Sequence, residues 1–127
     1  MIAGIGIDMV DVRRMTKWMH KPALMERYFN PSEIADIKAK GEGASAGLAA
    51  RFAAKEAYGK ALGSGLAGIT LKDITVKSGL NGEPRLLLTG TALAAFERKG
   101  ASFIHLSLSH EKDNAIAIVV LEYENRN

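Results

Sequence analysis

Arg51-Phe52-Ala53-Ala54-Lys55-Glu56-Ala57-Tyr58-Gly59-Lys60 is the stretch that decides the fold. With its alanine-rich surroundings it predicts one long helix from about residue 46 to 62, because alanine loses no side-chain entropy in a helix. Gly63-Ser64-Gly65 stops that helix. Within it, Glu56 stands one turn before Lys60. Working outward, the chain opens on an isoleucine-rich strand closed by an acid, Gly4-Ile5-Gly6-Ile7-Asp8. Its glycines let other backbone or a ligand approach closely. One carboxylate at a strand end and one on a helix can share a hard divalent cation, and Lys60 can then reach phosphate oxygens on that cation. These three residues suggest metal-assisted phosphate chemistry.

The other elements follow from local signals. Asp11 can cap a helix whose apolar side carries Met15, Trp18 and Met19, and whose basic side carries Arg14, Lys17 and Lys21. Asn30-Pro31-Ser32-Glu33 is a helix start with a cap, a first-turn proline and a capping-box glutamate. Gly41 to Gly47 reads as a mobile loop. Residues 69 to 88 read as a hairpin turning at Asn81-Gly82, and Thr89 to Lys99 as a helix stopped by Gly100. Ser102 to Ser109 alternates, with Ile104, Leu106 and Leu108 on one face and His105, Ser107 and Ser109 on the other. Ala115 to Leu121 is apolar throughout, which predicts a strand buried on both faces. Residues 122 to 127 form a polar tail. The order β-α-α-α-β-β-α-β-β gives an α+β fold with a mainly antiparallel sheet around a long central helix. At 127 residues, a single domain spanning 1–127 is expected.

Composition removes several classes. Apolar residues make up 47%, enough for a core, and the absence of cysteine excludes disulfides and thiolate metal sites. No apolar run approaches the roughly 20 residues that span a bilayer, and no signal peptide is apparent, so the cytoplasm is the default. Net charge is +3, and Arg13, Arg14, Lys17 and Lys21 concentrate it. Such a face draws an acidic partner: nucleic acid, membrane or an acidic protein. It is equally read as a solvated helix face.

Each candidate has a plain structural reading beside the functional one. Asp8 could be a helix-capping aspartate. Glu56 and Lys60 could be a surface pair worth about 0.3–0.5 kcal/mol. Arg51 and Lys60 lie on different sides of their helix, so one ligand would have to wrap it or two chains would have to meet there. Gly63 and Gly65 could admit a phosphate, although a helix C-terminus needs a glycine anyway, and no Walker loop is present. His105, near His110, could bind phosphate or move a proton, with a hydrogen-bonded structural role as the simpler account.

Gly4-Ile5-Gly6-Ile7-Asp8 followed by Arg51-Phe52-Ala53-Ala54-Lys55-Glu56-Ala57-Tyr58-Gly59-Lys60-Ala61-Leu62-Gly63 resembles the two signature segments of the phosphopantetheinyl transferases. Length and the segments Phe29–Glu33, Asn81–Pro84 and His105–His110 point to the holo-acyl-carrier-protein synthase subgroup. The resemblance implies transfer of 4′-phosphopantetheine from coenzyme A to a serine of acyl carrier protein, releasing adenosine 3′,5′-bisphosphate, in fatty acid biosynthesis. It implies that Asp8 and Glu56 hold Mg2+ and that Lys60 offsets diphosphate charge. It further implies a homotrimer with sites between subunits. Arg51 and His105 would meet the 3′-phosphate and ribose, and Pro84 the adenine. Asp8, Glu56, Lys60 and Gly63, with Gly65 beside them, would come from the neighbour. Arg13, Arg14, Lys17 and Lys21 would face the acidic carrier protein. The rival is a small basic RNA- or membrane-binding module, which leaves Asp8 and Glu56 idle. Its aromatic content, 6%, is thin for base stacking.

Overall fold

The computed structural model describes residues 1–125. In chain order the elements are β1 (Ile2–Asp11), α1 (Val12–Trp18), α2 (Pro22–Tyr28), α3 (Pro31–Lys38), α4 (Ala44–Leu62), β2 (Ile74–Ser78), β3 (Pro84–Leu88), α5 (Gly90–Lys99), β4 (Phe103–His110) and β5 (Asn114–Glu122). Three-residue 3-10 turns precede α4 and β2. The α+β expectation holds, and every strand pairing is antiparallel. The strands form two sheets rather than one: β1-β5-β4, and the β2-β3 hairpin.

Glycine decides how α4 meets the large sheet. Strand alternation turns Gly4, Gly6, Asp8 and Val10 toward the helix and Ile5, Ile7 and Met9 away from it. A Cβ at Gly6 would collide with the Ala57 carbonyl oxygen, and one at Gly4 with that of Ala61. The bare strand backbone therefore lies directly on the alanine face of α4. Val119 and Leu121 of β5 are fully buried on the same side. Each contributes about 1.5–3 kcal/mol by leaving water.

Several local expectations meet the structure closely. Asp11 accepts from the Arg13 amide as the cap of α1. Asn30 and Glu33 close a complete capping box on α3. Gly63 and Gly100 end α4 and α5 in the left-handed region, at φ +87° and +77°.

Others are corrected. β1 runs on to Asp11, because its whole length pairs with β5, so Asp8 sits inside the strand opposite Ala117 rather than closing it. Gly41–Gly47 is no loop: a 3-10 turn leads into α4, which starts at Ala44. Helix α2 was absent from the expected order. It is seven residues long and its Lys21 cap makes no side-chain bond, so neither periodicity nor capping announces it. The expected first helix ends at Trp18, which leaves Lys21 beyond it. β5 buries one face only: Ala115, Ala117, Val119 and Leu121 are covered, whereas Ile118 is 39% exposed. Of the polar tail, Glu122 belongs to β5, and residues 126 and 127 lie outside the described residues.

Beneath α4 lies a buried charge pair. Lys55 and Glu33 are both fully buried, with Lys55 Nζ donating to Glu33 Oε1 at 2.7 Å. The same ammonium donates to the carbonyls of Tyr28, Leu71 and Ile74 at 2.7–2.9 Å. Glu33 Oε2 accepts from the Val76 amide at 3.1 Å. One pair thus ties α2, α3 and the β2-β3 hairpin to α4. Burial pulls the Lys55 pKa below its ordinary value, with Glu33 opposing the shift.

Candidate functional site

The packing of β1 on α4 assembles the first cluster. Lys60 Nζ donates to Asp8 Oδ1 at 3.0 Å and to the Ile7 carbonyl at 3.0 Å. Asp8 is mostly covered, its side chain 18% exposed, while that of Lys60 is 54% exposed. Burial first, and the Asp8 charge second, push the Glu56 carboxyl above its ordinary range; Lys60 and Arg14 oppose the shift. Two carboxylates close enough to repel, beside a flexible ammonium, form a site that gains from added positive charge. The Gly63 amide donates to the Lys60 carbonyl and that of Gly65 to Gly59, so both glycines are engaged in ending α4.

A second cluster lies across the helix. Arg51 precedes Lys60 by nine residues, about two and a half turns, so the two point to opposite sides. The Arg51 side chain is 8% exposed, with Nη2 3.9 Å from Asp36. Its Nη1 donates weakly to the Gly47 carbonyl at 3.4 Å, and its buried Nε has no partner among the described residues. Arg51 lines a cleft of about 280 Å³ with Lys40, Gly47, Lys77, Pro84 and His110. Pro84 also borders a neighbouring depression of about 440 Å³ that includes His105. His105 points from the outer face of β4 and pairs with Glu122 of β5.

The sequence-derived residues therefore separate into two sets. Asp8, Glu56 and Lys60 come together, with Gly63 and Gly65 at the end of the same helix. Arg51, Pro84 and His105 gather on the other side. Of the basic residues, Arg14 edges the first set. Arg14 lies over the Trp18 and Phe52 rings, 5.8 and 5.7 Å from their centroids, and is close enough to influence Glu56. Arg13 is held by Asp11 at 3.2 Å. Lys17 and Lys21 are exposed. Sequence reasoning missed Lys40, Asp36 and Lys77 as neighbours of Arg51, since α3 with the turn after it and strand β2 bring them there from opposite sides of α4 in the sequence.

The model of the 4'-phosphopantetheinyl transferase superfamily matches residues 4–119. A holo-[acyl-carrier-protein] synthase of Treponema denticola is 55% identical over 122 residues, covering 96% of this chain and 99% of that one. A holo-(acyl-carrier-protein) synthase from Bacillus anthracis in complex with CoA (3',5'-ADP) has a TM-score of 0.81 at 38% identity, covering 98% of this chain and 99% of that chain. The Helicobacter pylori holo-[acyl-carrier-protein] synthase in complex with coenzyme A has a TM-score of 0.78 at 33% identity, over 93% and 99%. Both signature segments, with the two carboxylates and the lysine they bring together, fall inside the matched region, and the chain belongs to the 4'-phosphopantetheinyl transferase superfamily.

Proposed function

We propose that this chain transfers the 4′-phosphopantetheine group of coenzyme A to a serine of apo acyl carrier protein, as a holo-[acyl-carrier-protein] synthase serving fatty acid biosynthesis. The observation that carries this reading is the Asp8–Glu56–Lys60 cluster, held in place by the glycine contact of β1 with α4.

The donor set fits Mg2+. Both carboxylates offer hard oxygen, and burial first, then repulsion from Asp8, raises the Glu56 pKa. Among the described residues no group of three His, Cys, Asp or Glu side chains converges, so the proposed ligands from the protein are the two carboxylates. Magnesium commonly takes one or two carboxylates and fills its shell with water and substrate phosphate. Asp8 and Glu56 would hold it. Bound there, the metal would neutralise charge building on the diphosphate.

In the reaction the serine oxygen forms a bond to the phosphorus carrying pantetheine. The bond from that phosphorus to the bridging diphosphate oxygen breaks, and adenosine 3′,5′-bisphosphate leaves with the electron pair. Lys60, exposed beside Asp8, meets the leaving diphosphate oxygens and offsets their growing charge. The serine proton passes to Glu56 or to water. Arg51, whose Nε has no partner among the described residues, would receive the 3′-phosphate; Pro84 and His105 would flank the adenine and ribose.

Two sets on opposite sides of α4 serve one coenzyme A if copies of the chain meet, each giving one set. The homotrimer belongs to this proposal. Support comes from the outer face of the large sheet, where Ile5, Ile7, Met9 and Ile118 are 39–63% exposed. A face this apolar is a surface for association. Arg14 and Lys17, with Arg13 and Lys21, would receive the acidic carrier protein beside the metal cluster. The one-domain organisation over residues 1–127 and cytoplasmic placement complete the reading. No helix among the described residues is long and apolar enough to cross a membrane.

The test is an intact mass of apo acyl carrier protein after incubation with this protein, coenzyme A and Mg2+. A gain of one phosphopantetheine that chelation abolishes is expected. An unmodified carrier, where a known transferase modifies the same batch, refutes the reading.

A further inference from the structure

Lys55 and Glu33 take no part in the proposed reaction, yet among the described residues they are the two charged side chains with no exposed surface. Replacing such a pair by well-packed apolar side chains is often neutral or stabilising, so stability alone does not account for it. What the pair does supply is direction. Hydrophobic burial fixes no register, whereas hydrogen bonds to named backbone atoms do.

Those bonds fall on three consecutive residues of β2. Lys55 Nζ donates to the Ile74 carbonyl at 2.7 Å. Asn30, the cap of α3, donates through Nδ2 to Thr75 Oγ1 at 2.6 Å. The Val76 amide donates to Glu33 Oε2 at 3.1 Å. Glu33 Oε1 accepts from both Lys55 and the Asn30 amide, which closes the network. Val76, Lys77 and Ser78 then line the same cleft as Gly47, Ala50 and Arg51 of α4, and Ser78 pairs with Pro84 of β3. Arg51 stands one turn before Lys55, so both lie on one face of α4. The hairpin is a sheet of its own, separate from β1-β5-β4. Two strands alone are marginal, so other elements must hold them in place. Ile74, Val76 and Leu86 are buried and keep the hairpin in the core; the network decides where along and how far from α4 it sits.

We propose that Lys55, Glu33 and Asn30 are positioning residues for donor binding: they hold β2 at a fixed distance from the Arg51 face of α4, and so set the width of the cleft and the affinity for the nucleotide end of coenzyme A. This rests on the reading that the cleft takes that end. The three residues touch no substrate and act through the backbone and Thr75 of β2. The Asp8–Glu56–Lys60 cluster lies on the other side of α4 and is built from β1, so the chemical step does not depend on them.

The experiment measures kcat and KM for coenzyme A on the assembled protein, with calorimetric binding of 3′,5′-ADP and urea unfolding alongside. Lys55→Met with Glu33→Leu removes the network without stranding a charge. It should raise KM about ten-fold and weaken 3′,5′-ADP to match, with kcat within about three-fold of wild type. Glu33→Gln keeps an amide oxygen for the Val76 N–H but leaves Lys55 without its counter-charge. It should lower the urea midpoint yet hold KM within about two-fold of wild type, a separation that a purely structural role would not give. Thr75→Val breaks only the Asn30 bond, should raise KM about two- to three-fold, and carries the test if the double variant does not fold. A wild-type KM in the double variant, or in Thr75→Val where that one stands in, overturns the inference and leaves the transferase reading standing. So does a KM in Glu33→Gln raised as far as in the double variant. A wild-type protein that binds neither coenzyme A nor 3′,5′-ADP overturns both.

Discussion

Replacing Lys55 by methionine should unfold this protein more easily than any change to its exposed cations. Methionine nearly fills the same space, so the cavity term is small. What is lost is the ammonium. Its removal strands the Glu33 carboxylate, fully buried, and withdraws the donor from three carbonyls. Breaking a buried pair from one side costs about 3–5 kcal/mol. Lys55→Met with Glu33→Leu removes both charges and should recover part of that loss. Recovery is incomplete, because the Val76 amide then has no acceptor, worth about 1–3 kcal/mol, and the capping-box bond from the Asn30 amide is lost as well. The double variant should therefore be about 2 kcal/mol more stable than Lys55→Met. Urea unfolding at one fixed protein concentration reads both, and at about 2 kcal/mol per M of urea the single change shifts the midpoint down by about 2 M. A single variant within about 1 kcal/mol of wild type, or a double variant less stable than the single, would refute the account of this pair.

Four shorter predictions address the site and the assembly. Glu56→Gln should lower kcat about 100- to 1000-fold while raising the metal-free melting temperature above neutral pH. The sign follows from the raised Glu56 pKa: the folded state binds more protons than the unfolded state between the ordinary glutamate value and the raised one, so this group contributes stability at low pH and loses it as pH rises. A lower melting temperature in chelator would contradict that linkage. Gly6→Ala should destabilise by about 3 kcal/mol or more and weaken metal-dependent activity in whatever folded protein remains, because the new methyl meets the Ala57 carbonyl; a fully active, equally stable variant would show that β1 does not lie as close as described. Arg14→Glu should weaken carrier-protein binding about ten-fold with little change in coenzyme A binding, and wild-type affinity should fall with added salt; salt-insensitive carrier affinity would place the docking face elsewhere. Ile118→Glu should convert a species of three times the chain mass to one near 13.6 kDa by light scattering, and a wild-type protein already at that mass would remove the trimer.

The fold was legible where the signal is local and short-range. The capping box of α3, the αL glycines after α4 and α5, and the alternation of β4 all depend on residues within a turn of one another. Asp8 and Glu56 were legible as a pair through the family resemblance, whereas Gly4 and Gly6 announced a close approach without saying that α4 makes it. Lys55 and Glu33 were not, because nothing local tells a lysine in an alanine helix that it faces three carbonyls from distant segments. The same holds for Asp36 and Lys40, on and just after α3, and Lys77 on β2, which meet around Arg51. Helix α2 was missed because seven residues carry too little periodicity to stand out.

The expectation for β5 was wrong for the chain alone, yet its error carries information. An uninterrupted apolar strand, Ala115 to Leu121, is the pattern of a strand covered on both faces. Here α4 covers one face, and the register sets Ile7, Ile118 and Ser107 in one outward row and Met9, Ile116 and Ser109 in the next. The outer face therefore grades from apolar on β1 and β5 to hydroxyl-bearing on β4. Sequence pattern and single-chain burial disagree in the direction a missing partner would produce. The same missing partner would bring an Arg51 cleft from one copy toward an Asp8–Glu56–Lys60 cluster on another. On the proposed assembly, the apolar strand and the split site would be two consequences of one requirement, that the sheet and the long helix present their complementary halves to different neighbours.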